Sequence, residues 1–174
     1  MKYRELHPIK EGKRKWRFVV TKRIELPLYG LGRMHPNCML YVHGKLVALI
    51  LDGKLFIYPG YAWNGCSPKR YIGWPPIGAW VGTPDFQGTR MASLGHDVLF
   101  QFSALLRYSM NVVNDQFGLW MDDAGLSEEL RDIYHGAVHR FGSDYWGKAD
   151  PSLSVEWVEE RNHDSHDDPT YNLR

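Results

Sequence analysis

The first third of the chain has the hydrophobic pattern and composition of β-strands. Trp16, Phe18 and Val20 alternate with Arg17 and Val19, as in a half-buried strand. Three further segments are rich in β-branched, leucine and aromatic residues: Met39–Val42, Leu46–Leu51 and Lys54–Tyr58. Asp52-Gly53, between the last two segments, suits a type I′ turn because both central residues of that turn need a positive φ. His43-Gly44 is a second signal of this kind. The pattern therefore predicts an antiparallel sheet of three to five strands over residues 14–58.

The second half of the chain changes to helical periodicity. Three groups of apolar residues are spaced three and four apart: Met91, Leu94, Val98, Phe102 and Leu105; Val113, Phe117, Trp120 and Ala124; Leu130, Tyr134, Ala137 and Phe141. This spacing predicts three helices, two of them forming an antiparallel hairpin. The third helix is expected to begin after Ser127 and to end at Gly142. Alternation after Pro151 predicts one late strand.

Residues 59–86 lie between the two halves and are rich in proline, glycine and aromatic residues. A long irregular segment in a compact domain is commonly functional or a packed loop. Its Trp63, Trp74 and Trp80 suit two roles, stacking on a sugar or lipid and packing the loop onto the sheet. The order of elements predicts an α+β fold with an N-terminal antiparallel sheet, this long loop and a three-helix C-terminal half.

Length and composition indicate a single domain over residues 1–174. Hydrophobic residues make up 44% and the formal net charge is +1, so a general affinity for nucleic acid is not expected. We expect no transmembrane segment and no secretion signal, because the N-terminus lacks an apolar core and no apolar run is long enough. Residues 1–23 carry nine basic and two acidic residues, whereas 144–174 carry eight acidic and three basic ones. These oppositely charged ends suit subunit contacts as well as solvated surfaces.

His96 and Asp97, on the first predicted helix, are the first candidate site. Asp115 on the second helix has apolar neighbours one turn away and therefore needs a partner if it is buried. With the helices antiparallel, we expect Asp115 to hold one nitrogen of His96, leaving the other free to act as a general base. Asp97 would point toward Ser93 and Gln101 and hold Ca²⁺ with carbonyls of the loop. The alternative is a structural pair that satisfies two buried polar groups.

The third predicted helix carries a second candidate. Asp132, His135 and His139 are spaced three and four apart, which places them on one stripe of the helix, as a Zn²⁺ site requires. A solvated polar face has the same spacing. The two candidates could also converge on one site, and the sequence does not decide between these alternatives.

The order of motifs resembles an uncharacterised protein family of tailed phages and prophages, domain of unknown function 1353. The motifs that carry the resemblance are Gly60-Tyr61-Ala62-Trp63-Asn64-Gly65-Cys66-Ser67-Pro68, Gly78, His96-Asp97-Val98-Leu99-Phe100, Asn114-Asp115-Gln116-Phe117, and the segment from Tyr134 through Phe141-Gly142 to Trp146. It covers residues 14–147 and leaves 148–174 as an acidic extension. Asn64, Phe100 and Asn114 depart from the family pattern. The resemblance implies a phage origin and supplies no activity.

The His-Asp helix followed by an Asp-x-x-Phe helix is also similar to the core of phospholipases A2. That likeness implies a general base at His96, an orienting carboxylate at Asp115, and Ca²⁺ held by Asp97 and the loop of Tyr71 and Gly73. The cysteines that flank such a histidine in that family are absent here.

Three functions follow from these observations. The first is a virion or assembly component of a phage, contacting other phage proteins or itself, in the particle or the host cytoplasm. The second is a Ca²⁺-dependent hydrolase of lipid or cell-envelope esters. The third is a non-enzymatic module that binds a glycan or lipid through its loop. The residues of that ligand loop are Trp63, Asn64, Ser67, Trp74 and Trp80.

Overall fold

The structure is a computed structural model that describes residues 3–5, 10–11, 14–15, 18–30, 37–66, 69–72, 79–82, 87–143 and 146–158. Its strands are β1 (Tyr3–Glu5), β2 (Lys10–Glu11), β3 (Arg14–Lys15), β4 (Phe18–Val20), β5 (Ile24–Pro27), β6 (Cys38–Val42), β7 (Lys45–Leu51), β8 (Lys54–Ile57), β9 (Ala62–Trp63), β10 (Lys69–Ile72), β11 (Ala79–Gly82) and β12 (Leu153–Trp157). Its helices are α1 (Gln87–Gln101), α2 (Ser103–Leu106), α3 (Met110–Asp123) and α4 (Glu128–Phe141). The predicted α+β class is confirmed.

The main sheet has five antiparallel strands in the order β12-β6-β7-β8-β5. Two tight turns shape it, as the sequence predicts. Asp52 and Gly53 have φ values of 48° and 73°, and His43 and Gly44 have 50° and 71°. The pairing of β6 with β7 shifts register between Leu40 and Tyr41. A second, smaller sheet has three strands in the order β1-β4-β9.

The strand predicted after Pro151 is β12, which pairs with β6 along its full length, from Leu153 opposite Val42 to Trp157 opposite Cys38. The segment expected to be an extension therefore contributes an edge strand of the main sheet. Cys38 and Cys66 are buried thiols and not a disulfide. Burial raises the pKa of the Cys38 thiol to about 11.

Residues 59–86 are less irregular than predicted. They contain β9, which pairs with β4, and a hairpin of β10 and β11 with Tyr71 opposite Trp80. The many proline and glycine residues of this segment predicted one long loop, but these residues also occur at the ends of short strands.

The first predicted helix is interrupted, although its apolar spacing predicted one continuous helix from Met91 to Leu105. It ends at Gln101, Phe102 leaves the helical conformation (φ −92°, ψ 10°), and the four-residue α2 ends at Arg107 in the left-handed region (φ 58°). The other two helices match their predictions closely. The Ser127 hydroxyl caps α4 by accepting a hydrogen bond from the Leu130 N–H, and α4 ends at Gly142. None of the described helices is long and apolar enough to cross a membrane.

Helix α3 is packed between α1 and α4. A Cβ at Gly95 of α1 would lie 2.5 Å from the Trp120 ring, so only glycine permits this approach. Gly88 lies near Ala124, whereas His96 lies near Asn114, so α1 and α3 run antiparallel. The buried faces of the helices join the main sheet in one hydrophobic core.

Candidate functional site

His96 lies in the seam between α1 and α3 and is almost fully buried. Its Nε2 is 3.0 Å from Oδ1 of Asn114, and not paired with Asp115 as predicted. Adjacent helical residues point about 100° apart, so Asn114 faces α1 while Asp115 faces α4. The expected carboxylate partner of His96 is therefore replaced by a neutral amide.

Aromatic rings surround His96. The imidazole centroid lies 5.2 Å from that of Phe100 and 5.1 Å from that of Phe117, and Trp146 packs edge-on against Phe100 at 4.9 Å. With Asn114 Oδ1 as the acceptor, Nε2 carries the ring proton. The other nitrogen, Nδ1, faces Asp97 Oδ1 at 3.9 Å, beyond hydrogen-bonding distance.

Asp97 lies beside the loop, where the sequence placed it. Desolvation raises the pKa of its carboxyl, and His96 opposes this shift, yet 39% of the side chain is exposed. The Tyr61 hydroxyl donates to Oε1 of Gln101 at 3.0 Å, one turn beyond Asp97. Burial, together with the nearby Asp97 charge, raises the pKa of Tyr61 well above its usual value. The Asp97 carboxyl is thus partly desolvated by the surrounding protein while solvent still reaches it.

Trp63 is fully buried, so of the two roles that the sequence left open it has the packing role and not that of a ligand-stacking residue. Its ring packs 5.3 Å from Phe18, and its Nε1 donates to the Ser93 hydroxyl at 3.3 Å. Ser93, Asp97 and Gln101 thus form one stripe that faces residues 61–63, as expected. Asn64 is exposed. Tyr71 and Trp80 lie in the hairpin of β10 and β11, whereas Ser67, Gly73 and Trp74 lie outside the described residues.

Asp115 belongs to a second cluster, formed with α4. Its Oδ1 is 3.3 Å from Nε2 of His135, which is 3.2 Å from Nε2 of His139. The predicted third member, Asp132, is instead drawn to the Arg131 guanidinium at 3.0 Å. Within the described residues, Asp115, His135 and His139 are the one group of three or more metal-ligating side chains, and Asp97 is not part of it.

Sequence reasoning missed Asn114, although a signal for it was present. Val113, Phe117, Trp120 and Met121 form the buried stripe of α3, and position 114 lies three residues before Phe117 on that stripe. Position 115 falls outside it. An asparagine on an apolar stripe, facing a histidine on a facing helix, predicts a buried polar pair.

Comparison with protein families, curated proteins and solved structures finds no match to this chain.

Proposed function

We propose that the protein is a non-catalytic component of a tailed-phage or prophage system, acting in the virion or its assembly, and that His96 has a packing role. The observation that carries the non-catalytic part is the hydrogen bond between His96 Nε2 and the neutral amide of Asn114. An amide satisfies a buried imidazole without adding a charge to the core.

The surroundings of His96 argue against a general base. Two aromatic rings lie against the imidazole, and only 10% of the side chain is exposed. A general base must come within hydrogen-bonding distance of the proton that it removes. The phospholipase-like arrangement also requires an orienting carboxylate, and Asp115 contacts His135 instead.

The phage part of the proposal rests on the ordered motifs, and their packing supports a shared scaffold. The Gly-aromatic motif contacts the His-Asp helix through Tyr61 and Trp63. That helix contacts the next motif through His96 and Asn114. Residues separated by dozens of positions thus form one packed unit, which explains their chemical types without invoking catalysis.

Association with other phage proteins or with itself is supported by one edge of the main sheet. β12 is an edge strand in the described part of the chain, and Trp157 at its end is 42% exposed. An open strand edge with an exposed aromatic residue is suited to a protein partner.

The proposal is tested by purifying particles and assembly intermediates from a host that produces the protein, followed by quantitative mass spectrometry. We expect the chain to be enriched with structural proteins at a constant ratio. His96→Gln, which keeps a hydrogen-bond donor for Asn114, should be incorporated as efficiently as the unchanged chain. Absence from every particle and intermediate fraction would refute the assembly role.

The exposed Asp97 carboxylate favours a second candidate, a Ca²⁺-dependent esterase. Asp97 lies near Tyr61 and His96 and is partly exposed, so its carboxylate could meet a hard cation. Hydrolysis of phospholipid and simple ester substrates should then require Ca²⁺ and be lost in Asp97→Asn, but not in the matched control Asp132→Asn. No turnover with Ca²⁺ present would leave the non-catalytic proposal as the surviving one.

A further inference from the structure

We propose that Asp115, His135 and His139 form a binding site for a divalent transition metal, with Zn²⁺ as the best match. The site lies between α3 and α4, on a different face of α3 from the His96 seam. It does not depend on the proposed phage role or on catalysis at Asp97.

Two of the three separations between the ligand atoms match those around a tetrahedral ion. Zinc bonds to histidine nitrogen and carboxylate oxygen of about 2.0–2.1 Å place neighbouring ligand atoms about 3.3 Å apart. The observed separations are 3.3 Å between Asp115 and His135 and 3.2 Å between His135 and His139. All three ligand atoms lie within 4.8 Å of one another.

Counting protons shows why these three atoms suit a cation. Nε2 of His135 contacts both the carboxylate oxygen and Nε2 of His139. A neutral imidazole nitrogen carries either one proton or one lone pair, so these two contacts cannot both be ordinary, unshared hydrogen bonds. A metal ion placed among the three atoms would accept a lone pair from each of them.

The ligand types and exposure narrow the kind of metal. Two imidazoles and one carboxylate suit Zn²⁺ and neighbouring first-row ions, whereas Ca²⁺ takes oxygen ligands. Asp115 and His135 have side chains that are 62% and 34% exposed, so solvent reaches the site. Three protein ligands leave a fourth position for water, as in zinc sites that are not fully closed. The ion would also join α3 to α4.

Calorimetric titration of the untagged, metal-free full chain with Zn²⁺ tests the proposal, with Co²⁺ absorption as a report of tetrahedral geometry. We expect one equivalent to bind and to raise the melting temperature. His135→Gln and His139→Gln should lose this binding. Asp115→Asn should weaken it by at least about 10-fold, since even the outer-shell partners of metal ligands commonly change affinity by that factor.

Two controls make the test discriminating. Asp132→Asn removes the carboxylate that helical spacing alone would choose, and it should bind Zn²⁺ like the unchanged chain. A His163→Asn, His166→Asn double variant removes the histidines near the C-terminus and should also bind normally. Binding that survives His135→Gln, or that is lost in either control, would overturn the proposed ligand set. The Co²⁺ spectrum of the unchanged chain decides independently of any variant's folding, and an octahedral spectrum would contradict the site.

Discussion

Two adjacent residues of α3 serve two different histidines. Asn114 is fully buried and holds His96 across the α1–α3 seam, whereas Asp115 is exposed and contacts His135 across the α3–α4 seam. In the first pair, the partner of the histidine is an uncharged amide, and aromatic rings pack against the imidazole. The second contains a carboxylate and a second histidine, and solvent reaches it.

The contrast shows how burial selects the partner of a histidine. A carboxylate in the buried seam must lose its hydration, which costs several kcal/mol unless its pairing and hydrogen bonds are nearly complete. A neutral amide therefore suits the buried position. At the exposed position water screens the charge, and a carboxylate costs little. The buried pair is therefore suited to stability and the exposed cluster to binding a ligand.

The largest expected effect is that of His96→Ala. Removing the ring leaves a cavity between Phe100 and Phe117 and an unsatisfied Asn114 oxygen, so the free energy of unfolding should fall by about 2–4 kcal/mol. Urea denaturation followed by circular dichroism measures this loss. His43→Asn, at an exposed turn whose positive φ asparagine tolerates, is the control and should change stability by less than about 0.5 kcal/mol. A similarly small loss for His96→Ala would remove the packing role.

Asn114→Asp tests whether the buried seam accepts the charge that its neighbour carries. The amide nitrogen of Asn114 has no hydrogen-bond partner among the described residues, and the substitution removes that unsatisfied donor. The new buried carboxylate costs more than this gain, so stability should fall by about 1–3 kcal/mol at neutral pH. Urea denaturation measures the change. An increase in stability would mean that the seam is built for a charged His-Asp pair, as a catalytic site needs.

Much of the fold could be predicted because local patterns determine it. Two runs of strand-forming residues and the Asp52-Gly53 turn predicted the hairpin of β7 and β8, and the Ser127 cap predicted the start of α4. The break at Phe102 could not be predicted, because Phe102 is itself apolar and continues the stripe from Val98 to Leu105 at helical spacing. Whether the chain turns there depends on tertiary packing, which overrides local propensity.

The site was predicted less well, because the identity of a partner depends on the rotation of one helix against another. A rotation of about 100° separates Asn114 from Asp115 and exchanges their histidines. The choice between Asp115 and Asp132 has a different origin: Arg131 attracts Asp132, and only packing of α3 on α4 brings Asp115 to His135. The prediction that Asp97 faces Ser93 and Gln101 succeeded because all three lie on one helix.

Asp97 offers a smaller test, based on pH. Its pKa is raised above 3.8 in the folded state, chiefly by desolvation, so the folded state binds more protons than the unfolded state between the two values. Stability should therefore fall as pH rises through that window. Asp97→Asn removes this loss and should gain less than about 1 kcal/mol over the unchanged chain by neutral pH, because solvent screens a partly exposed side chain.

Urea denaturation between pH 4 and 8 measures this difference. Glu129→Gln is a control of opposite sign, since hydrogen bonds at the start of α4 lower the pKa of Glu129 and its contribution is lost as pH falls. A pH-independent difference between Asp97→Asn and the unchanged chain would show that Asp97 is not desolvated.

The smallest expected effect is that of Asp115→Asn in the presence of a chelator. Exposed carboxylate pairs contribute little, so the free energy of unfolding should change by less than about 0.5 kcal/mol. Asp115→Asn and Asn114→Asp are opposite exchanges of amide and carboxylate at neighbouring positions. Only the exchange in the buried seam, Asn114→Asp, should lower the free energy of unfolding substantially. Urea denaturation of both variants under identical conditions measures the two losses. Equal losses would mean that burial does not distinguish the two histidine sites, and adding Zn²⁺ should widen the deficit of Asp115→Asn only if the ion binds at this cluster.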